Sequence, residues 1–95
     1  MKDRRTQGFK EMFDNLPAKV QERAKAAHRL FLEDPNNSAL GLHPLHDTKD
    51  NPRHSMAVSI GYRYRAVFVT DEEGVNVWYW IGSHADYDKR FGKNR

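Results

Sequence analysis

One short stretch, residues 75–81, constrains the fold of this chain more than any other. It reads Val-Asn-Val-Trp-Tyr-Trp-Ile, a run of β-branched and aromatic residues without proline or charge, which is typical of a β-strand. Successive side chains of a strand point to opposite faces, and here both faces are apolar. Such a strand belongs near the middle of a sheet whose two faces are at least partly covered. The sequence therefore predicts a sheet built around this strand.

Polar side chains follow the aromatic strand directly. Residues 82–90 supply an imidazole, two carboxylates, a phenol and two cations, on His84, Asp86, Asp88, Tyr87, Lys89 and Arg90. A stiff strand that ends in such groups can hold them steady at an open surface. We therefore expect a functional site at the end of this strand.

Length and composition indicate one small domain covering residues 1–95. With 38% hydrophobic and 31% charged residues, the chain should fold around a small core with a very polar exterior. It has no cysteine, which excludes disulfides and thiolate metal sites. The basic N-terminus lacks the apolar core of a signal peptide, and no apolar run approaches the length of a membrane span. We therefore expect a cytoplasmic protein without a membrane partner.

Two helices are predicted before the strands. Thr6 is a suitable N-cap for the first, whose apolar stripe has helical spacing and comprises Phe9, Met12, Phe13 and Leu16. The second runs from about Pro17 to Glu33 and ends at Asp34-Pro35. A short connection between two helices predicts an antiparallel helical hairpin.

Strand patterns fill the second half of the chain. Residues 42–46 can form a short edge strand, and residues 54–60 and 63–69 alternate about a turn at Gly61 and Tyr62. A second turn, Asp71–Gly74, leads to the aromatic strand. This order predicts an α+β domain in which the N-terminal helical hairpin packs on one face of a three- to four-stranded antiparallel sheet.

The alternation along each strand predicts which side chains share the face away from the helices. If Tyr64, Ala66 and Phe68 face the helices, then Arg63 and Arg65 face away. If Val77, Tyr79 and Ile81 also face the helices, the open face carries Arg65, Trp78, Trp80 and His84, with Asp86 and Tyr87 at its rim.

These groups suit the binding and cleavage of single-stranded RNA. An arginine matches phosphate oxygens with two parallel donors, and exposed aromatic rings stack on unpaired bases. An imidazole exchanges a proton near neutral pH, so it can serve a reaction in which a 2′-hydroxyl attacks the adjacent phosphate without a metal ion. The net charge of +3 is compatible with an anionic partner.

Each residue also has a structural alternative. His84 could only bond backbone, Arg65 could pair with a surface acid, and Asp86 could cap the last turn. Trp78 and Trp80 could belong to the core or to a partner interface. His43 and His46 have a spacing compatible with a metal site, but a proline-containing loop is a poor scaffold for ligands, so we expect neither metal nor cofactor.

The sequence resembles the RelE/ParE toxin superfamily from about Thr6 to Arg90. The matching segments are Leu16-Pro17 with Val20-Gln21, Asp34-Pro35, Tyr64–Val67 and above all Trp78–Lys89, whose His-Ala-Asp-Tyr pattern is similar to that of a compact RelE-like branch. The resemblance implies a helical hairpin on an antiparallel sheet. RelE-type members are ribosome-dependent mRNA endonucleases neutralised by a cognate antitoxin, whereas ParE-type members inhibit DNA gyrase.

The resemblance also implies roles for single residues. Arg65 matches the arginine that binds phosphate and stabilises transition-state charge, and His84 matches the C-terminal histidine of the branches that use one. Asp86 and Tyr87 fall where other groups assist catalysis, and His46 or His54 could supply another acid or base. The expected RNA-binding residues are Arg63, Lys89, Arg90, Trp78 and Trp80.

The chain departs from the family pattern in three places. Ala57 occupies a strand position that is frequently basic, and Arg63, in a hairpin longer than usual, could replace the missing charge. The first strand of many relatives is expected to be absent or reduced to the basic leader. Three functions therefore remain open: an mRNA endonuclease whose partners are a cognate antitoxin, mRNA and the ribosome, a gyrase inhibitor, and a member that only binds its antitoxin.

Overall fold

The computed structural model describes residues 2–45 and 54–92, which form three helices, a short 3₁₀ turn and one sheet. In chain order the elements are β1 (Asp3–Arg5), α1 (Gln7–Asp14), α2 (Ala18–Glu33), the 3₁₀ turn (Ser38–Leu40), β2 (His43–Pro44), β3 (Met56–Ile60), β4 (Tyr64–Thr70), β5 (Asn76–Ser83) and α3 (His84–Phe91). His46, one of the expected catalytic residues, lies outside the described residues.

The helical hairpin forms as its caps and apolar stripes predict. The hydroxyl of Thr6 accepts a hydrogen bond from the Phe9 amide at 3.1 Å, which satisfies a free donor in the first turn of α1. The side-chain amide of Gln21 donates to the carbonyls of Phe13 and Leu16, at 3.0 and 3.2 Å, and so ties α2 to the end of α1. Because the hairpin is fixed in this way, its apolar stripes face the sheet together.

The sheet has five strands in the order β1-β5-β4-β3-β2. The predicted α+β class is confirmed, but the sheet is larger than expected and mixed, because β1 pairs with β5 in parallel. Part of the basic leader thus forms a strand. The Asp3 carboxylate anchors it by accepting hydrogen bonds from the Trp78 indole N–H and from Nε2 of His28.

A β-bulge in β5 changes the predicted side-chain alternation. Val67 lies opposite Trp80, and Phe68 lies opposite Trp78, so Tyr79 is the extra residue. Tyr79 and Trp80 therefore pack on the same face of the sheet, and Trp78 and Ile81 pack on the other, beneath the helical hairpin. The expected positions of Trp78 on the open face and of Val77 and Tyr79 under the helices are wrong for this reason.

The second face of the sheet is covered in part by α3. Tyr87 and Phe91, one helical turn apart, bury their rings against Leu45, Ala57 and Val67. The hydroxyl of Ser83 accepts from the Asp86 amide at 3.1 Å and so caps α3, a helix that the sequence patterns above did not predict. The structure thus has three layers, with the sheet between the hairpin and α3, and only part of the second face is open.

Candidate functional site at the start of α3

The backbone brings the β3–β4 turn, the end of β5 and the first residue of α3 together. Arg65 pairs with Gly82 across the β4–β5 ladder, and the His84 amide donates to the carbonyl of Arg63. Gly82 suits this crowded position, because a Cβ there would lie 2.9 Å from the Trp80 indole. The backbone positions of residues 63, 65 and 84 are therefore neighbours in space.

Arg65 lies on the face of the sheet that α3 covers in part. Its side chain leaves β4 on the same side as that of Val67, which packs beneath α3. Nη1 donates to the carbonyls of Tyr64 at 2.9 Å and Gly61 at 3.4 Å. Within residues 2–45 and 54–92, no carboxylate pairs with this guanidinium. The hairpin thus holds a partly exposed cation whose other donors can meet an anion.

His84 is the first residue of α3, and its side chain is 44% exposed. Its Nδ1 lies 3.2 Å from a carboxylate oxygen of Asp88, one helical turn further on. The ring also approaches that of Tyr87, with 6.1 Å between centroids. An imidazole held through Nδ1 and still accessible to solvent can exchange a proton through Nε2.

Tyr87, expected to assist catalysis, is buried between α3 and the sheet. Its hydroxyl lies 3.2 Å from Nε2 of His43, and Nδ1 of His43 lies 2.8 Å from the Gly41 carbonyl. Because a carbonyl only accepts, Nδ1 carries the hydrogen, and in the neutral ring Nε2 accepts from the Tyr87 hydroxyl. The pair joins α3 to β2, so this geometry gives Tyr87 a structural part.

The remaining expected catalytic residues do not gather around His84 in the part of the chain described. Asp86 is exposed, and its amide bonds the Ser83 hydroxyl. His54 is exposed in a left-handed turn that precedes β3, five residues before Ser59, the partner of Arg65. The first residue of β3, Met56, is already about 10 Å along the strand from Ser59, and His54 precedes it, so His54 lies toward the far end of the sheet.

The expected RNA-binding residues divide by exposure. Arg63, Lys89 and Arg90 are exposed, and the Arg90 guanidinium also lies over the Phe91 ring, 4.8 Å from its centroid. Trp80 is partly buried, in perpendicular contact with Phe91 at 5.4 Å between centroids. Trp78 is only 4% exposed and packs against Phe9, Phe31 and Phe68, so it belongs to the core rather than to an RNA-binding surface.

Two features near the site were not expected from the sequence. Tyr62, at the tip of the β3–β4 turn beside Arg63, is 95% exposed and thus offers the free aromatic ring that the tryptophans do not. Ala57, where similar chains are often basic, is fully buried beneath Tyr87 and Phe91, which explains its small apolar side chain. The exposure of Tyr62 could have been inferred, because it lies in a turn between Gly61 and Arg63.

A second polar pair lies on the α3 face toward the beginning of β3. The Tyr79 hydroxyl lies 2.8 Å from the hydroxyl of Ser55. Burial raises the pKa of Tyr79, and this effect outweighs the Ser55 hydrogen bond and the charge of Arg90, which both lower it. A neutral phenol is therefore favoured here.

An apolar cleft of about 120 Å³ lies between the helical hairpin and the sheet. Aromatic rings of Phe9, Phe13 and Phe31 line it, and Arg5 and Lys25 add positive charge. Within the described residues, no three His, Asp or Glu side chains are grouped so that they could hold a metal ion. No helix in the same residues has both the length and the apolar character that crossing a membrane requires.

Comparison with known proteins identifies a family and several similar folds. The model of the ParE-like toxin domain family matches residues 18–89. No curated protein sequence matches significantly. The solved structure of YafQ from Escherichia coli aligns with a TM-score of 0.70 at 10% identity, over 90% of this chain and 94% of YafQ.

Two other toxins are similar in fold. The YoeB/ParE toxin from Agrobacterium tumefaciens aligns with a TM-score of 0.68 at 16% identity, over 88% of this chain and 99% of that one. RelE from Pyrococcus horikoshii, solved in a RelE–RelB complex, aligns with a TM-score of 0.64 at 13% identity, over 86% of this chain and 92% of that one. At these identities the similarities establish the fold.

Proposed function

The chain belongs to the ParE-like toxin domain family of the RelE/ParE superfamily, and from this premise we propose that it is a type II toxin that cleaves mRNA on the ribosome without a metal ion. The observation that supports the proposal best is the pair formed by Arg65 and His84. A guanidinium without a carboxylate partner among the described residues and an accessible imidazole start from adjoining backbone at the end of the sheet.

Arg65 binds the scissile phosphate in this proposal. Two hairpin carbonyls hold Nη1, so the guanidinium is oriented before substrate arrives. A pre-oriented cation stabilises the extra negative charge of the five-coordinate transition state without reorganising during the reaction. The start of α3 also favours an anion nearby, because the positive end of the helix dipole lies there.

His84 accepts the proton of the 2′-hydroxyl through Nε2. The 2′-oxygen then forms a bond to phosphorus, the bond from phosphorus to the 5′-oxygen breaks, and a proton from water or from a second side chain completes the leaving hydroxyl. The products are a 2′,3′-cyclic phosphate and a free 5′-hydroxyl. No redox partner or metal is needed in this sequence of steps.

Tyr62 and Arg63 bind the RNA beside the scissile bond. Tyr62 is the fully exposed ring of the β3–β4 turn, and the Arg63 carbonyl bonds the amide of His84, so the turn adjoins the proposed site. A tyrosine ring stacks on an unpaired base irrespective of its identity, and the arginine follows the phosphate backbone. Lys89 and Arg90 extend the positive surface along α3.

A cognate antitoxin is the proposed protein partner. The apolar cleft beneath α1 and α2 can receive apolar side chains, and Arg5 and Lys25 suit acidic residues beside them. An antitoxin segment bound in this cleft would not cover Arg65 and His84. Another part of the antitoxin would therefore have to block these two residues. Co-expression with the adjacent open reading frame, followed by co-purification, tests whether that product is the partner.

Mutation of His84 tests the nuclease directly. We expect the purified wild-type protein to cut ribosome-bound mRNA and to arrest growth, and His84→Ala to lose both activities with an unchanged circular dichroism spectrum. Arg29→Ala is the control, because Arg29 is exposed on α2 and its removal should preserve cleavage. A His84→Ala protein that cuts as fast as the wild type would exclude this mechanism.

The ParE-like family model favours one alternative, inhibition of DNA gyrase. The two functions differ in their target, so a supercoiling assay separates them from the mRNA-cleavage assay. We expect gyrase to supercoil plasmid at its normal rate in an excess of this protein. Inhibited supercoiling with intact mRNA would support the gyrase target and contradict the nuclease.

A further inference from the structure

We propose that Asp88 is the positioning residue for His84: its carboxylate holds the hydrogen on Nδ1 and thereby leaves Nε2 free to accept the proton of the 2′-hydroxyl. This inference rests on the proposed nuclease function and extends it to a residue outside the expected catalytic and RNA-binding sets. The contact between Nδ1 of His84 and Oδ2 of Asp88 is 3.2 Å.

Helix geometry makes this contact specific to residue 88. Residues four apart on a helix lie on one side, one turn above the other, whereas Asp86, two residues from His84, points elsewhere. The turn that carries Asp88 is fixed, because its neighbour Tyr87 and the next-turn residue Phe91 are buried against the sheet. The carboxylate is thus held where the imidazole can meet it.

The chemistry of the two groups fixes the tautomer. An ionised carboxylate only accepts hydrogen bonds, so Nδ1 of His84 must be the donor. In a neutral imidazole the other nitrogen, Nε2, then carries the lone pair. When Nε2 takes the proton of the 2′-hydroxyl, the ring becomes a cation, and the adjacent carboxylate stabilises that charge, as the third member of a catalytic triad does.

Burial gives the contact more effect than an ordinary surface pair. The Asp88 side chain is only 25% exposed, so solvent screens it incompletely, whereas the His84 side chain is 44% exposed and remains accessible to substrate. A single helical ion pair contributes little to folding stability. Loss of Asp88 should therefore affect the state of His84 and the rate of cleavage more than the melting temperature.

The first test is nitrogen-15 NMR of histidine-labelled protein. In the wild type, we expect His84 to give the signals of the tautomer protonated at Nδ1. Asp88→Ala should lose that preference and Asp88→Glu should retain it. The control Asp86→Asn should show the same His84 signals as the wild type. A His84 spectrum that is identical in wild type and Asp88→Ala would overturn the proposal.

The second test is cleavage kinetics. Asp88→Ala should lower kcat by about 10- to 100-fold with little change in KM, by analogy with the loss that follows removal of the partner that orients a metal-binding histidine. Asp88→Asn, which keeps the size and removes the charge, should also be slow, and Asp88→Glu should recover most of the rate. Glu72→Gln is the control, because Glu72 is exposed in the turn between β4 and β5.

The outcomes separate this proposal from the function on which it rests. A lower kcat without a change of tautomer would overturn the positioning role, because Asp88 would then act in another way. A wild-type protein with the expected tautomer but without RNA cleavage would overturn the nuclease function, and with it any catalytic part for Asp88, while the NMR result would still establish the contact.

Discussion

The two faces of the sheet differ in how completely they are covered. Beneath α1 and α2, aromatic and aliphatic side chains form one large buried cluster that includes Phe31, Phe68 and Trp78. Beneath α3 the buried cluster is smaller, and the sheet beyond the start of that helix carries the partly exposed Arg65. The first face therefore stabilises the fold, whereas the second also presents polar groups on a rigid support.

The largest expected effect comes from the face beneath the hairpin. Trp78→Ala should lower the free energy of unfolding by about 3–5 kcal/mol, because it leaves a cavity among packed rings and removes one of the two hydrogen-bond donors to the Asp3 carboxylate. Trp80→Ala, on the α3 face, should cost less because Trp80 is only partly buried. Urea denaturation measures both, and equal losses would contradict the comparison.

Substitution of Gly82 should disturb the α3 face alone. The Cβ of Gly82→Ala would lie 2.9 Å from the Trp80 indole, which is packed against Phe91, so we expect a loss of about 1–3 kcal/mol. The nearby site should be disturbed as well, because Gly82 pairs with Arg65. Thermal melts and cleavage assays check this prediction. Gly8→Ala is the control, because a Cβ at Gly8 would meet nothing closer than 3.9 Å and should cost no stability.

Removal of the exposed ring at the β3–β4 turn should weaken RNA binding without affecting stability. Tyr62→Ala should lose about 1–3 kcal/mol of binding free energy for single-stranded RNA, because one stacked base loses its support. Tyr62→Phe keeps the ring and should bind as the wild type does. Fluorescence anisotropy with a short labelled RNA gives the affinities. Equal affinities for the alanine and phenylalanine variants would exclude stacking.

The smallest expected effect is alkaline destabilisation through Tyr79. Burial raises the pKa of Tyr79 above its usual 10.0, so below pH 10 the phenol is neutral in both folded and unfolded chains. As the pH rises from 10 through the raised pKa, the unfolded state loses its proton first and the fold loses stability. Tyr79→Phe should remove this part of the loss. Melting temperatures between pH 9 and 11 that decline equally in both proteins would contradict it.

The sequence was most informative where the pattern is local. Thr6 and Pro17 mark the beginnings of α1 and α2 to within a residue, and the turn at Gly61 separates β3 from β4 as predicted. These features follow from caps, from helical or strand periodicity and from turn residues, which act over a few positions.

The missed features depend on contacts between distant segments. The bulge at Tyr79 leaves no trace in an unbroken run of aromatic residues, although it reverses the direction of Trp78. Strand β1 is short and polar, and only its pairing with β5 makes it a strand. The sequence did contain a signal for α3, because Ser83 is a good N-cap and Tyr87 and Phe91 have helical spacing.

A double-mutant cycle of Arg65 and His84 is the decisive experiment on the proposed site, because both side chains should act on one phosphodiester. We predict that Arg65→Ala and His84→Ala each lower kcat/KM by at least about 100-fold, and that the double variant is little slower than the slower single one. Two losses that multiply fully in the double variant would show that the residues act independently, and would exclude their joint action on one phosphodiester.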